Sequence, residues 1–449
     1  MTEGKIWKEI TKFAIPLFLG NLFQQFYNVV DSLVVGNVLG KEALAAVTSS
    51  GSLIFLLVGF VQGLFMGGSV IISRYIGARD DDKVATAVHT MIAFSFLAGV
   101  VLTVVGVLVT PVLLRLMGTP EDVMPNSVTY FRVYFYGAIG VAMYNSTSSV
   151  FRAVGDSKHP LYYLIVSAGL NVVLDLLFVG VFRFGIAGAA FATCISQLVS
   201  AILSFVKLMH IEGPARLKLR EIKMERAMLK AMVRLGFPAG VQNSVISIAN
   251  VVVQSNINAF GSVAMAGCGS YSKLEGFAFL PITSFSMALT TFIGQNLGAQ
   301  KYDRVKKGAR FGVFSGISLA ELTGVILVLF APVLVGFFNK ESDVIAFGVE
   351  QARTEGLFFF LLALSHCLAG IFRGAGRTKV PMLVMLAYWC IVRIIYITAV
   401  THFIHDIQVI FWAYPLTWTL SSVTFIIYYF KADWMENGFS SVKSGTLPQ

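Results

Sequence analysis

The stretch FRAVGDSKHP, residues 151–160, returns as FRGAGRTKVP at residues 372–381, with Phe, Arg, Gly, Lys and Pro in register 221 residues apart. Other matches sit at nearly the same offset. IGARDDDKV (76–84) pairs with LGAQKYDRV (297–305), TPVLL (110–114) with APVLV (331–335), and Pro16 with Pro238. Self-similarity spread over the whole chain at one fixed offset reads as a duplication.

Composition says what is duplicated. Of 449 residues, 56% are hydrophobic and 13% charged, and the mean hydropathy is +0.76. Soluble domains carry about 25% charged residues. The apolar residues fall into runs long enough to cross about 30 Å of hydrocarbon as helices, without the short alternating segments of a membrane barrel. Spans are expected over 13–36, 52–76, 88–113, 127–150, 160–182 and 186–209, then 233–259, 274–297, 309–335, 347–371, 381–401 and 409–430. The fold class is therefore all-α, a polytopic membrane protein of twelve transmembrane helices in two pseudo-symmetric six-helix lobes. The lobes are expected at 1–210 and 232–449, joined by a cytoplasmic basic linker at 211–231 that reads as an interfacial helix.

Charge supports the count. With the N-terminus inside, only Lys41, Arg115, Arg183 and Lys340 of the 34 Lys and Arg residues fall in outer loops. Arg132, Arg353 and Arg393 fall within spans, Lys273 sits at the outer edge of one, and the rest lie in or beside inner segments, as the positive-inside rule requires. The net charge of +10 is thus topological, and nucleic-acid binding is excluded as its explanation. Six spans is an even number, so the halves insert with the same orientation and are related by an axis along the membrane normal. The Lys5, Lys8 and Lys12 start has the look of a signal peptide, but its apolar stretch is too long and lacks a cleavage site. Cys194, Cys268, Cys367 and Cys390 lie in apolar segments without paired spacing and read as core residues. Gly63, Gly67 and Gly68 are spaced for close helix approach.

Ionisable side chains inside a span cost roughly 2.5–3.5 kcal/mol each and so mark candidate sites. In the first half these are chiefly Asp31, in YNVVDSLVVGNVLG, and Asp175, in GLNVVLDLLF. Asn171 precedes Asp175 by one helical turn and shares its face. Thr193 on the sixth span and Asn145 on the fourth add a hydroxyl and an amide oxygen. An all-oxygen set is what hard cations select, and two carboxylates brought together out of water equally suit a proton. Asn171 and Asp175 also read as a hydrogen-bonded packing network. The positions matching them in the second half are Val392 and Tyr396, and the stretch matching Asp31, SIANVVVQSNINAFG, has no carboxylate. The acid pair belongs to one half only.

The second half has Glu275, which reads as locally paired with Lys273, and Glu321, Glu355 and Arg393, with an Arg393 pair to one of those two glutamates as an option. Gln24, Tyr27, Gln242 and Asn243 are polar positions for lining a substrate cavity, where some of the 38 Phe residues would suit lipophilic cations. GNVLGKEA (36–43) falls one residue short of a phosphate loop and lacks its Ser or Thr. No zinc motif or catalytic set stands out, so the chain reads as no enzyme and without a cofactor; an ion gradient must supply the energy.

Taken together, NVVDSLVVGNVLG, FRAVGDSKHP, LNVVLDLLF and GIAGAAFAT, with their second-half echoes, resemble the multidrug and toxic compound extrusion transporters over essentially the whole length. The nearest likeness is to the prokaryotic DinF-like branch. That resemblance implies two six-helix lobes and export of drugs or metabolites, driven by inward H+ or Na+ flow through alternating access. It implies a first-lobe cation site of Asp31, Asn171, Asp175 and Thr193, the metal ligands if sodium is used, with Asn145 nearby. Branches with second-lobe acids leave Glu275 as an accessory candidate. The expected setting is a bacterial inner membrane, with both termini cytoplasmic, a monomeric chain, and small lipophilic, cationic substrates. Bending at Pro16 on protonation is one reading of the first helix and a static kink the other. A flippase for a lipid-linked precursor is the rival function, and it would require a basic cavity.

Overall fold

The computed structural model describes residues 1–116 and 119–435; the end of the 232–449 lobe, from 436 onward, lies outside them. The helices are α1 (Ile6–Leu39), α2 (Lys41–Ala78), α3 (Asp81–Leu116), α4 (Met124–Tyr136), α5 (Ala138–Val154), α6 (Lys158–Asp175), α7 (Gly185–His210) and α8 (Arg226–Asn258). They continue as α9 (Ser262–Gly298), α10 (Tyr302–Gly336), α11 (Ser342–Gly356), α12 (Phe359–Gly374), α13 (Lys379–Met385), α14 (Arg393–Phe403) and α15 (Gln408–Lys431). Among the described residues, 9 stretches are long and apolar enough to cross a membrane alone, and the bent pair α11–α12 makes up to 10. All twelve runs expected from the sequence lie on helix, because in hydrocarbon a helix satisfies its own backbone polar groups.

The duplication is written in the backbone. Gly155 and Gly376, the glycines of the repeated decapeptide, adopt φ of 93° and 80°. Each closes its helix in the same way: Gly155 N–H donates to Arg152 O and Asp156 N–H to Phe151 O, while Gly376 donates to Arg373 O and Arg377 to Phe372 O. This is a Schellman cap, whose left-handed position glycine fills without steric cost. Arg79 and Gln300, also 221 residues apart, hold φ of 56° and 58° and carry the same pair of capping bonds.

The breaks repeat as well. The fourth and tenth spans are each two helices rather than the single helix expected. Gly137 N–H donates to Tyr134 O and Gly140 N–H to Gly137 O; at the matching positions Phe358 donates to Glu355 O and Leu361 to Phe358 O. The α11–α12 pair bends by 56° there. Hydropathy does not register such a turn, because the side chains on both sides stay apolar. The fifth and eleventh spans are interrupted by π-helical turns at Leu176–Val181 and Leu386–Val392, which are not at matching positions.

The linker differs from expectation. It forms no interfacial helix: Gly213, at φ 94°, precedes Pro214, and the chain stays irregular apart from one 3-10 turn (Leu219–Glu221) until α8 begins at Arg226. Ala215 and Leu217 are buried, and the strap is pinned by Lys218 N–H to His89 Nε2 (3.0 Å) and Glu225 N–H to Thr90 Oγ1 (3.2 Å).

Contacts divide the chain into a first unit, Leu19–Ser244, and a second, made of Met1–Phe18 with Val245 onward. This division passes through α1 and α8 and is not the division into sequence halves. In the second unit Ile10, Phe13, Ala14 and Leu17 share one core with Leu289, Phe292 and Ile293 of α9. In the first unit the start of α8 crosses α2 glycine to glycine: a Cβ at Gly63 would lie 2.2 Å from Gly240 N, and one at Gly67 2.4 Å from Gly236 N. Small residues permit this backbone approach. Cys268, Cys367 and Cys390 are buried, and Cys194 is half-buried, its thiol donating to Val133 O at 3.2 Å.

Candidate functional site

In the first unit α1, α6 and α7 bring four of the expected residues together. Asp31, Asn171, Asp175 and Thr193 are all buried, Asp175 at 0% exposure. The Asp31 and Asp175 carboxyl groups lie within hydrogen-bonding distance of each other. A carboxylate is an acceptor only, so a hydrogen bond between two such groups requires a proton on one of them. Asp31 Oδ1 and Asp175 Oδ1 are buried without a hydrogen-bond partner among the described residues. Two orphaned oxygens on adjacent acids fit either a proton or a small hard cation.

Asn171 acts directly on Asp175. With its amide turned so that the NH2 faces the carboxylate, it donates to Asp175 Oδ2 at 2.7 Å and accepts from Thr193 N–H at 3.2 Å. Its oxygen keeps a second lone pair, and the one-turn spacing on α6 becomes a clamp on the carboxylate. Thr193 Oγ1 donates to Ala189 O (3.2 Å) and lies 3.4 Å from the Tyr27 hydroxyl. The π turn begins immediately after Asp175. Such turns shift side-chain register within a helix and are frequent at functional sites.

Asn145 lies elsewhere on α5: its amide donates to Val141 O (2.8 Å) and accepts from Gln62 (3.1 Å), with no hydrogen bond to either aspartate. Of the cavity candidates, Tyr27 joins the acid cluster, Gln24 is exposed, Gln242 is buried and Asn243 donates to Gly59 O at 3.1 Å. Two phenols were missed. Tyr130 is buried, and both it and Tyr27 interact electrostatically with the two acids, while Tyr134 stands near Tyr27. Their spacing of four in TYFRVYFYG, on one helix face, was the available signal.

In the second unit Lys273 makes no ion pair with Glu275 among the described residues and extends over the Phe338 ring, 5.4 Å from its centre. Glu321 accepts the Phe360 N–H at 3.1 Å and so caps the start of α12 at the break. Glu355, at 0% exposure, accepts from the Tyr271 hydroxyl (3.1 Å) and Gln351 (2.8 Å). Arg393 makes no direct ion pair with Glu321 or Glu355 among the described residues. It donates to Thr417 Oγ1 through Nε (3.2 Å) and Nη2 (2.8 Å), with its guanidinium 4.3 Å from the centre of the Tyr414 ring.

Comparison with known proteins gives one consistent result. The MatE family pattern matches residues 16–177 and again 238–398, once in each half. "Probable multidrug resistance protein YoeA" of Bacillus subtilis is 31% identical over 396 residues, covering 86% of each chain. "Probable multidrug resistance protein NorM" of Thermotoga maritima is 28% identical, covering 86% of this chain and 84% of its own. A solved structure described as the outward-facing conformation of a multidrug resistance MATE family transporter superposes with a TM-score of 0.89 at 22% identity, covering 97% of both chains. At that identity the likeness shows the fold, twelve helices in two lobes.

Proposed function

The chain belongs to the MatE family, and from that premise we propose that it is a multidrug antiporter exporting small lipophilic, cationic molecules against an inward flow of H+ or Na+. It is a multi-pass membrane transporter and not an enzyme. The observation that carries the coupling reading is the meeting of Asp31 and Asp175, each with a buried orphan oxygen, in a unit where no basic side chain contacts them among the described residues. A cation arriving from outside neutralises the pair and lowers the affinity for substrate; its departure to the inside restores that affinity.

Coupling by alternating access requires the cation and the substrate to favour different arrangements of the protein, since a ligand that binds both equally shifts nothing. A factor of about 100 in affinity corresponds to roughly 2.7 kcal/mol. Neutralising one of two adjacent buried carboxylates supplies energy of that order. The loop charges support cytoplasmic termini, and the relatives' names support drug-like substrates. The inner bacterial membrane and a monomeric state complete this reading. The flippase alternative requires a cavity rich in Lys and Arg, whereas the cations within the spans are few: Arg132, Arg353 and Arg393.

The test is efflux of a fluorescent cation from proteoliposomes under imposed H+ and Na+ gradients. Asp31→Asn and Asp175→Asn are each expected to reduce gradient-driven efflux about 100-fold while the protein stays folded. Undiminished efflux in both variants ends the proposal.

A further inference from the structure

The chain leading into the first helix of each half is tied down, and the two ties use different chemistry. Ahead of α1 the Arg304 guanidinium donates to Met1 O (3.2 Å), Glu3 O (2.7 Å) and Gly4 O (2.7 Å). Residues 222–225 match 1–4 at the 221-residue offset, and ahead of α8 the tie is made by His89 and Thr90 of α3. An arginine stays charged at every pH a protein meets. A histidine is the side chain whose charge changes between about pH 5 and 8.

His89 is 4% exposed, and its partners assign its two ring nitrogens. Nδ1 lies 2.7 Å from Ala85 O, which can only accept, so Nδ1 carries the hydrogen. Nε2 lies 3.0 Å from the Lys218 backbone nitrogen, which can only donate, so Nε2 presents its lone pair. One tautomer of the neutral imidazole satisfies both bonds. The imidazolium, with a hydrogen on each nitrogen, keeps the first and turns the second into an N–H facing an N–H. Beside it the buried Thr90 hydroxyl accepts Glu225 N–H (3.2 Å) and donates to Lys223 O (3.4 Å), and Leu217 N–H donates to Leu208 O (3.0 Å) at the end of α7. The charged and titratable groups around this contact are Lys218, Glu221, Lys223 and Glu225 on the strap, Arg74 and Tyr75 on α2, Lys83 on α3 over the Tyr75 ring, and Lys207 and His210 beside Leu208. On α5, Arg152 turns to Ser149 (2.7 Å). Glu221 reaches His89 electrostatically, but its carboxylate is held by Lys218 Nζ at 2.9 Å.

We propose that His89 is a proton-operated latch on the strap that joins the two halves: neutral, it holds Lys218; protonated, it releases residues 217–225. The sign follows from the bonds, since the tied form needs the unprotonated Nε2 and is therefore lost as pH falls. The Arg304 clasp on residues 1–4 has no such dependence and stays closed in acid. By the loop charges the strap lies on the inner side, so protons carried inward arrive where the latch can sense them. That use of the latch rests on the function proposed above; the latch itself does not.

The experiment is amide hydrogen exchange of the purified full chain, read by mass spectrometry on peptides covering the strap and corrected for the intrinsic effect of pH. Strap amides are expected to exchange slowly at about pH 8 and about 10-fold faster at about pH 5.5, while residues 1–5 lose no protection in acid. His89→Gln, whose amide oxygen accepts the Lys218 N–H without titrating, is expected to keep slow exchange at both pH values. His89→Arg, charged throughout, is expected to exchange fast at both. Should either variant fail to fold, the contrast between the strap and residues 1–5 in the parent chain still decides. The proposal is overturned if strap exchange in the parent is indifferent to pH, if residues 1–5 open in acid to the same extent, or if His89→Gln keeps the parent's response. Asp31→Asn/Asp175→Asn is expected to retain the response of the strap whether or not it still drives efflux, so a failure of the coupling reading and a failure of the latch are told apart.

Discussion

Among the described residues, Asp31 and Asp175 in the first unit each keep a buried oxygen without a hydrogen-bond partner, while Glu355 in the second has both oxygens hydrogen-bonded. The two halves descend from one repeat and still share its caps and its broken fourth helix. Backbone features that any folded repeat needs have been kept in both. Charges differ, the fifth span carrying Asp175 and the eleventh Arg393. Symmetric features therefore report on folding, and asymmetric ones on what each half contributes to transport.

The largest effect that discriminates between the halves is one of sign. Removing a buried acceptor strands its donors, at about 1–3 kcal/mol each. Glu355→Ala is thus expected to lower stability, leaving the Tyr271 hydroxyl and the Gln351 amide without their buried acceptor. Asp175→Asn removes a charge that faces a like group, so its stability is expected to match or exceed that of the parent chain at neutral pH. Thermal unfolding in detergent checks both; a strongly destabilised Asp175→Asn alongside a stable Glu355→Ala would break the comparison.

A smaller effect sharpens it from the other side. Gly155→Ala and Gly376→Ala each put a Cβ in a left-handed position, at about 1–2 kcal/mol. The two costs are expected to agree with each other, since the capping bonds are the same in both halves. Unequal losses, measured by the same unfolding assay, would show that the caps are not equivalent parts of one repeat.

The extent of what the sequence revealed follows the same line. Helix positions were legible because a run of apolar residues long enough to cross a bilayer has few alternatives, and Lys and Arg oriented the runs. The breaks at Gly137 and Phe358 and the π turns were not, since they change backbone hydrogen bonding without changing side-chain polarity. The strap at 211–225 was misread as helix although Gly213 and Pro214 argued against it. At the site, Asp31, Asn171, Asp175 and Thr193 stood out because polar groups in apolar spans are few. Tyr130 was lost among many aromatics, and Asn145 was grouped with the acids by composition when its amide turns to Gln62. Arg393 stood out as a charge in an apolar span, but its partners Thr417 and Tyr414 come from α15, an arrangement that helix order alone does not give.

Equilibrium binding of radiolabelled Na+, together with proton release on neutralisation, counted per purified chain, tests the central claim most directly. The account predicts that a single titratable or sodium-binding site is present in the parent protein and absent in Asp31→Asn/Asp175→Asn. An unchanged count in that double variant would contradict it.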